Sequence, residues 1–481
     1  MTTNKNVIAK NLFWRFAERC GAQGVTALVS IILARIISPD TYGTIALITV
    51  FITILQVFVD SGLGSSLIQK DKVDDLDFST VFIFNIIICI VLYFTMYAFA
   101  PMIANFYNDN TLTLVIRVLS LTIIISGVKN IQQAYVSRHM LFKKFFFSTL
   151  IGTIGAAIIG IILAYKGFGI WALVGQHLFN TLIDTMVLWY TIEWRPKLIF
   201  SFTRLKGLFS YGWKLLISSL IDTIYNDLRQ LMIGKLYSAK DLAYYNRGQQ
   251  FPNLIIININ KSIDSVLFPA LSSVQNDVLK VKQLTQKAIK MSSYVMWPLM
   301  FGLFVISEPF VNVVLTPSWS ACIPYLRVFC IIYGFYPIHT ANLNAIKALG
   351  RSDLFLKLEI IKKIMGMVFL LCSIPFGVMT MTYSLLVTTL LSTFINSFPN
   401  KTLMSYTYYE QIRDMCPSFL LSLAMCFIIY PIKFFISNDI LLILIQIFTG
   451  ALIYIIFSIL CKLDSFNYIY AFIKSRINLK K

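Results

Sequence analysis

The sequence predicts an all-α integral membrane protein of about fourteen transmembrane helices, arranged as two pseudo-symmetric six-helix lobes followed by two extra C-terminal helices. Composition is the first reason: the 481 residues are 57% hydrophobic and 13% charged, with a mean hydropathy of +0.74. A typical soluble domain has about 25% charged residues. The second reason is a series of apolar runs of about 20 residues, the length that a helix needs to cross a bilayer. The third is an internal repeat at a spacing of about 200 residues.

The apolar runs are helical, because barrel strands would show segments of about ten residues with strict alternation. The predicted helices lie near residues 12–37, 43–60, 79–104, 112–134, 146–165, 168–192, 208–233, 251–274, 288–314, 322–347, 355–376, 378–398, 415–435 and 438–461. Their connections are too short for a soluble domain. The polar first ten residues lack a small-residue cleavage site, so we expect the first helix to be retained.

Matching sequence features recur in the same order in the two halves of the chain. Trp14-Arg15 corresponds to Trp213-Lys214, and the end of helix one at residues 35–39 corresponds to residues 235–239. Both copies start on the same side of the membrane, so their symmetry axis would follow the membrane normal, as in some transporters. The predicted domains are an N-terminal lobe (1–194), a C-terminal lobe (195–410), and helices thirteen and fourteen with a basic tail (411–481).

Lysine and arginine are distributed unequally between alternate connections. The set that includes the amino terminus holds most of them, and the tail adds Lys462, Lys474, Arg476, Lys480 and Lys481. Basic residues mark cytoplasmic loops, so we expect both termini in the cytoplasm and an even number of helices. This asymmetry explains most of the +19 net charge and leaves no reason to invoke nucleic acid.

Some cations interrupt apolar segments instead of flanking them. They are Arg15 and Arg19 on helix one, Lys214 and Arg229 on helix seven, and Lys261 on helix eight. A Lys or Arg at the centre of a membrane helix costs roughly 2.5–3.5 kcal/mol on insertion scales. We therefore predict a buried, water-filled cationic cavity that accepts an anionic substrate. As an alternative, Arg15 and Arg19 lie near a helix end and reach the headgroups.

Carboxylates in the same segments allow two interpretations. Asp222 and Arg229, and likewise Lys261 and Asp264, could pair and neutralise each other inside the bundle. Intramembrane carboxylates are also candidates for coupling to protons or sodium, and Asp60, Asp222 and Asp264 are the predicted coupling residues.

Sequence motifs for catalysis are absent. The three histidines are scattered, and GxxxxGK[ST], HExxH and GxSxG do not occur. We therefore predict no catalytic residues, no metal site and no cofactor, and hence not an enzyme; transport would run on an ion, potential or substrate gradient. We interpret the acidic stretch 71–77, which contains Asp75-Leu76-Asp77, as a solvated loop.

Several blocks carry a family resemblance over nearly the whole chain. They are LARIISPDTYG (33–43), VFVDSGLGSSLIQK (57–70), AYKGFGIWALV (164–174), YNRGQQFP (245–252), SVLFPALSSVQND (265–277) and NAIKALGRSDLFLKLEIIKK (344–363). In this order they resemble the polysaccharide transporter family. This family comprises the O-antigen, capsule and exopolysaccharide flippases of the Wzx and colanic-acid types, within the multidrug/oligosaccharidyl-lipid/polysaccharide superfamily.

The resemblance implies a V-shaped pair of six-helix lobes with two extra helices in the bacterial cytoplasmic (inner) membrane. The implied activity is the flipping of an undecaprenyl-diphosphate-linked oligosaccharide by alternating access. Family members use arginines on helix one and basic residues on helices seven and eight, which match Arg15, Arg19, Lys214, Arg229 and Lys261.

The implied partners are the lipid-linked oligosaccharide, membrane lipids, and a polysaccharide polymerase with its chain-length machinery. Two other classes stay open: a multidrug antiporter of the same superfamily, and a membrane polysaccharide polymerase or ligase. The outer connections are short for such an enzyme, which would normally expose a long catalytic loop. The blocks identify neither the glycan nor the coupling ion.

Overall fold

Helices run through both halves of the chain in a computed structural model that describes residues 5–60, 62–70, 73–139 and 141–468. Side chains are described within these ranges except at 5–20, 69, 142, 145, 211 and 265. The chain divides into two units, one ending at Ala243 and the other beginning at Tyr244. The predicted lobe boundaries at 194 and 410 concern internal repeats and stay a prediction.

The first unit is built from nine helices of the described chain. They are α1 (Lys5–Ile36), α2 (Pro39–Asp60), α3 (Leu63–Gln69), α4 (Asp75–Tyr107), α5 (Thr111–Leu119), α6 (Leu121–Arg138), α7 (Phe142–Tyr165), α8 (Ile170–Thr191) and α9 (Phe202–Leu236). Helix α7 packs against α1 and α8, and α9 packs against α2, α3 and α4. Leu33, Ile48 and Ile116 are fully buried in a core that joins α1, α2 and α5. A second core buries Leu205 and Leu208 of α9 against α3, and this burial fixes α9, which carries two of the predicted site cations, within the unit.

The second unit is organised around one long helix. Its helices are α10 (Ala239–Ser273), which begins just before the division, α11 (Val278–Val314), α12 (Ile323–Gly334), α13 (Tyr336–Ala348), α14 (Ser352–Ser373), α15 (Val378–Met404), α16 (Tyr408–Ile429) and α17 (Asp439–Leu460). Helix α11 packs against α12, α13, α16 and α17. The buried Trp297 of α11 has its ring centroid 4.7 Å from that of Phe419 and 5.1 Å from that of Phe335. The two C-terminal helices are thus part of this unit.

The helical segments coincide in order with the predicted ones when α2–α3, α5–α6 and α12–α13 each count as one segment. Ten stretches of the described chain are long and apolar enough to span a membrane: Pro39–Ile68, Asp75–Tyr107, Thr111–Arg138, Phe146–Tyr165, Ala239–Ser273, Val278–Val314, Pro317–Ala348, Val378–Met404, Tyr408–Phe434 and Asp439–Leu460. Helix α9 is not one of them, since Lys214, Asp222 and Arg229 interrupt its apolar run. The all-helical membrane fold is confirmed, and the count of fourteen transmembrane helices stays a prediction.

The glycine-rich turn between α2 and α3 has a steric reason. Gly62 has a φ of +65°, a conformation that glycine adopts without a Cβ penalty. A Cβ at Gly62 would lie 2.3 Å from the carbonyl oxygen of Gly212 in α9. This turn therefore permits a backbone contact between α3 and α9.

We expect Gly62→Ala to lower the unfolding free energy by about 1–3 kcal/mol, because the new methyl group meets backbone that cannot rotate away. Gly167→Ala is the matched control, since Gly167 also has a positive φ (+80°) but has nothing within 4 Å of a built Cβ. Thermal unfolding in detergent should show the larger loss for Gly62→Ala. Equal losses would mean that backbone conformation alone explains the glycine.

Candidate functional site

The start of α9 is anchored to the rest of the first unit by hydrogen bonds. The N–H of Lys197 donates to Ser79 Oγ at 3.0 Å, and the N–H of Ser201 donates to Thr80 Oγ1 at 3.1 Å. Ser66 Oγ of α3 donates to the carbonyl oxygen of Leu208 at 3.1 Å. The segment that leads into α9 is therefore held on α4, and α9 has a defined position.

Two predicted site cations, Lys214 and Arg229, lie at different levels along the axis of α9. Fifteen residues separate them, which is on the order of 22 Å along a helix, and their directions differ by about 60° around its axis. Lys214 is exposed, whereas Arg229 is buried with 8% of its surface exposed. One phosphate cannot contact both, so any substrate that binds both must be extended.

The second unit carries Lys261 and Asp264 on α10. Asp264 Oδ1 accepts a hydrogen bond of 2.5 Å from Asn344 Nδ2 of α13, and no ion pair joins it to Lys261 in the part of the chain that the structure describes. The suggested pairing of Lys261 with Asp264 is therefore wrong, because Asp264 accepts a hydrogen bond from Asn344 instead. Lys261 is exposed, so its ammonium group can meet an anion. The other suggested pair, Asp222 with Arg229, stays a prediction.

The predicted role of α1 in substrate binding depends on two arginine side chains. Its backbone is helical from Lys5 onward. The side chains of Arg15 and Arg19 lie outside the described residues, so their assignment to the site stays a prediction.

A polar group in the first unit includes one predicted coupling residue, the exposed Asp60. Asp60, at the end of α2, accepts a hydrogen bond of 3.0 Å from Asn130 Nδ2. Lys129 precedes Asn130 in α6. Its Nζ lies 3.2 Å from Asp184 Oδ2 of α8, and the two side chains are 18% and 12% exposed. The other carboxylate oxygen of Asp184 is buried without a described partner. Sequence reasoning missed this pair, although each residue is a charge within an apolar run, which was the available signal.

A second polar group, of neutral residues, lies inside the second unit. Asn342 Nδ2 donates to Gln411 Oε1 at 2.7 Å, Asn400 Nδ2 donates to Asn342 Oδ1 at 2.6 Å, and Ser397 Oγ donates to Gln411 Oε1 at 2.9 Å. All four side chains are fully buried. They join α13, α15 and α16, and buried amides in such a network need their mutual hydrogen bonds. The network fixes α13, which presents Asn344 to Asp264.

The acidic stretch before α4 differs from its sequence interpretation. Asp74 and Asp77 form a capping box at the start of α4, and Asp77 is fully buried. Lys70 Nζ lies 2.7 Å from Asp77 Oδ2, and Arg204 Nη1 lies 3.6 Å from Asp77 Oδ1. The backbone N–H of Asp77, followed by the charge of Arg204, holds the pKa of Asp74 below its ordinary value. The interpretation as a solvated loop is therefore wrong for Asp77, because cations from two sides cover it.

The block YNRGQQFP serves packing in the second unit. Arg247 is 5% exposed, lies 5.0 Å from the Trp319 ring centroid and donates to Gln250 Oε1 at 2.5 Å. A Cβ at Gly248 would lie 2.6 Å from the Cβ of Tyr325 on α12. This block therefore brings α10 close to α12, which requires the glycine.

The fold defines a structural class, the helical membrane fold that solved flippases and multidrug transporters share. The structure of the lipid II flippase MurJ, in an inward closed conformation, is similar with a TM-score of 0.77 and 17% identity, covering 94% of this chain and 99% of that one. An inward-facing multidrug resistance MATE family transporter of the MOP superfamily is similar with a TM-score of 0.65 and 13% identity, covering 79% and 94%. These likenesses confirm the predicted fold class.

The family follows from sequence: the chain belongs to the polysaccharide biosynthesis protein family, whose pattern it matches over residues 32–324. Three relatives are the succinoglycan biosynthesis transport protein ExoT of Rhizobium meliloti (23% identity; 73% of this chain, 71% of the relative), the teichuronic acid biosynthesis protein TuaB of Bacillus subtilis (28%; 62% of each) and the lipopolysaccharide biosynthesis protein WzxC of Escherichia coli (23%; 83% and 82%). The predicted family is confirmed, and with it a non-enzymatic membrane transport protein of polysaccharide biosynthesis.

Proposed function

We propose that this protein flips an undecaprenyl-diphosphate-linked oligosaccharide from the cytoplasmic to the outer leaflet of the bacterial inner membrane. The observation that carries the proposal is that cations interrupt long helices in each unit, the exposed Lys214 and buried Arg229 on α9 and the exposed Lys261 on α10, in a member of a polysaccharide biosynthesis family. The glycan is an O-antigen, capsule or exopolysaccharide repeat unit.

The chemistry of the substrate explains why cations are needed. A diphosphate taken out of water into a low-dielectric region loses its hydration, and charge-assisted hydrogen bonds from Lys and Arg offset that loss. Arg229 offers a planar fork that matches two phosphate oxygens, whereas Lys214 and Lys261 act as point charges. We assign Arg15 and Arg19 to the same cavity on the basis of their family positions.

The length of an oligosaccharide headgroup agrees with the distance between the two cations on α9. Lys214 and Arg229 are on the order of 22 Å apart, too far for one diphosphate but within the length of a headgroup that carries several sugars. We infer that the diphosphate and the sugars engage different depths of one cationic cavity, while the prenyl chain stays in lipid. Alternating access around this cavity then moves the headgroup.

Ion coupling is assigned to Asp60, Asp222 and Asp264. Two of these carboxylates accept hydrogen bonds from asparagine amides, Asn130 for Asp60 and Asn344 for Asp264. Protonation of either carboxylate, or cation binding to it, would change that contact. We also propose that both termini lie in the cytoplasm and that a polysaccharide polymerase with its chain-length machinery is the downstream partner.

Deleting the gene in its host separates this proposal from a multidrug antiporter. We expect loss of surface polysaccharide together with accumulation of lipid-linked oligosaccharide accessible only from the cytoplasmic leaflet. Drug susceptibility should not change. Normal surface polysaccharide with increased drug sensitivity would contradict the proposal and identify an antiporter.

A further inference from the structure

A cavity of about 300 Å³ lies in the second unit, between the first part of α11 and the segment that follows α17. Gln283, Gln286, Lys287 and Lys290 of α11 line one wall. Their spacing of i, i+3, i+4 and i+7 places them on one helix face. Asp464, Ser465 and Tyr468 belong to the opposite wall. The volume is at the lower end of the roughly 300–1,000 Å³ typical of small-molecule sites.

The two lysines of this cavity differ in their partners. Lys290 Nζ lies 3.4 Å from Asp414 Oδ1 and 3.9 Å from Asp464 Oδ2, so acidic side chains compensate its charge. Lys287 forms no ion pair with a described carboxylate, and its Nζ lies 3.6 Å from the ring centroid of Tyr468. Since Asp464 is paired with Lys290, the ammonium group of Lys287 contacts an aromatic face and forms no ion pair among the described residues.

Neutral donors surround that ammonium group. The amides of Gln283 and Gln286 and the hydroxyls of Ser465 and Tyr468 have no side-chain hydrogen-bond partner among the described residues. Oxygen atoms of a phosphate group accept hydrogen bonds from all of these groups and from Lys287. The arrangement thus fits a phosphate with one negative charge.

The level of the cavity along α17 favours a lipid as the source of the phosphate. The C-terminal lining residues of the cavity begin at Asp464, four residues after α17 ends at Leu460. Leu452, Ile456 and Leu460 are exposed on that apolar helix. An apolar helix that ends beside a basic pocket is the usual setting for recognition of an anionic headgroup. Met291 adds an apolar edge to the cavity.

We propose that this cavity binds the headgroup phosphate of an anionic membrane phospholipid, with Lys287 as its charge partner and Gln283, Gln286 and Tyr468 as further donors. This lipid site is proposed as separate from the site proposed for the transported substrate. Its occupant would hold α11 and the segment after α17 together at the membrane surface.

Lipid binding to the purified full-length protein tests the proposal without any transport assay. Native mass spectrometry would follow titrations with short-chain phosphatidylglycerol, with phosphatidylcholine, and with inorganic phosphate as competitor. The variants are Lys287→Gln and, as matched control, Lys280→Gln on the same helix, where Lys280 lies 3.0 Å from Asp277 and does not line the cavity.

We expect phosphatidylglycerol to bind more tightly than phosphatidylcholine, and Lys287→Gln to weaken its binding roughly fivefold, as expected for one basic contact at a membrane surface. Lys280→Gln and inorganic phosphate should leave it unchanged. Equal weakening by both variants, or equal binding of the two lipids, would overturn the site. Displacement of the lipid by inorganic phosphate would overturn the lipid assignment in favour of a soluble phosphate compound.

Discussion

Replacing Lys129 with methionine should lower the free energy of unfolding by about 3 kcal/mol. The substitution leaves Asp184, with 12% of its side chain exposed, as an unpaired charge between α6 and α8. Breaking a buried ion pair by removing one partner costs about 3–5 kcal/mol, and the residual exposure of this pair favours the lower value. Unfolding of the purified protein in detergent gives the measurement.

Two controls make this result specific. Lys197→Met breaks the pair of Lys197 with Asp75, whose side chains are 63% and 47% exposed, and should cost about 0–1 kcal/mol. The double variant Lys129→Met/Asp184→Leu removes both charges and should recover most of the lost stability. A double variant as unstable as Lys129→Met alone would show that packing, not the unpaired carboxylate, is responsible.

Replacing Lys261 with glutamine should reduce surface polysaccharide at least tenfold while the amount of protein in the membrane stays normal. Lys261 is exposed and forms no ion pair among the described residues, so its replacement should remove the proposed substrate contact without disturbing the fold. A hydrogen bond to a charged group contributes about 1.5–3 kcal/mol, which corresponds to roughly 10–150-fold in rate or affinity. Quantified surface glycan and immunoblots of membranes give the two readouts.

The matched variants separate charge at this position from charge in general. Lys261→Arg keeps the charge and should keep most of the activity. Lys166→Gln, at an exposed position in the turn after α7, should have no effect. Arg229→Gln should likewise reduce surface polysaccharide at least tenfold, with Arg229→Lys intermediate because lysine lacks the planar fork that binds two phosphate oxygens. Normal polysaccharide in both Lys261→Gln and Arg229→Gln would contradict the assignment of the cavity.

Runs of apolar residues predicted the helices well, because a segment in lipid must satisfy its own backbone hydrogen bonds and does so as a helix. Breaks within segments were missed. Helices α12 and α13 separate at Phe335, where Gly334 faces Trp297 and Pro337 begins the next turn. The apolar run continues through this point, so hydropathy alone gives no sign of the break.

The positions of charged residues in the sequence do not reveal which partners they have in the fold. Lys129 and Asp184 are 55 residues apart, and only the packing of α6 on α8 joins them. Lys261 and Asp264 have the right spacing to pair, yet Asn344 from a distant helix takes the carboxylate. Local spacing sets which contacts are possible, and tertiary packing decides between them.

Reconstituted flipping is the most direct test of the proposed function. Proteoliposomes containing the wild-type protein and an undecaprenyl-diphosphate-linked oligosaccharide would be assayed for its appearance in the opposite leaflet, with and without imposed proton or sodium gradients. We predict flipping by the wild-type protein, dependence on one of the gradients, and a rate at least tenfold lower for Lys261→Gln. Absence of flipping under every gradient, from protein that is folded and correctly inserted, would contradict the account.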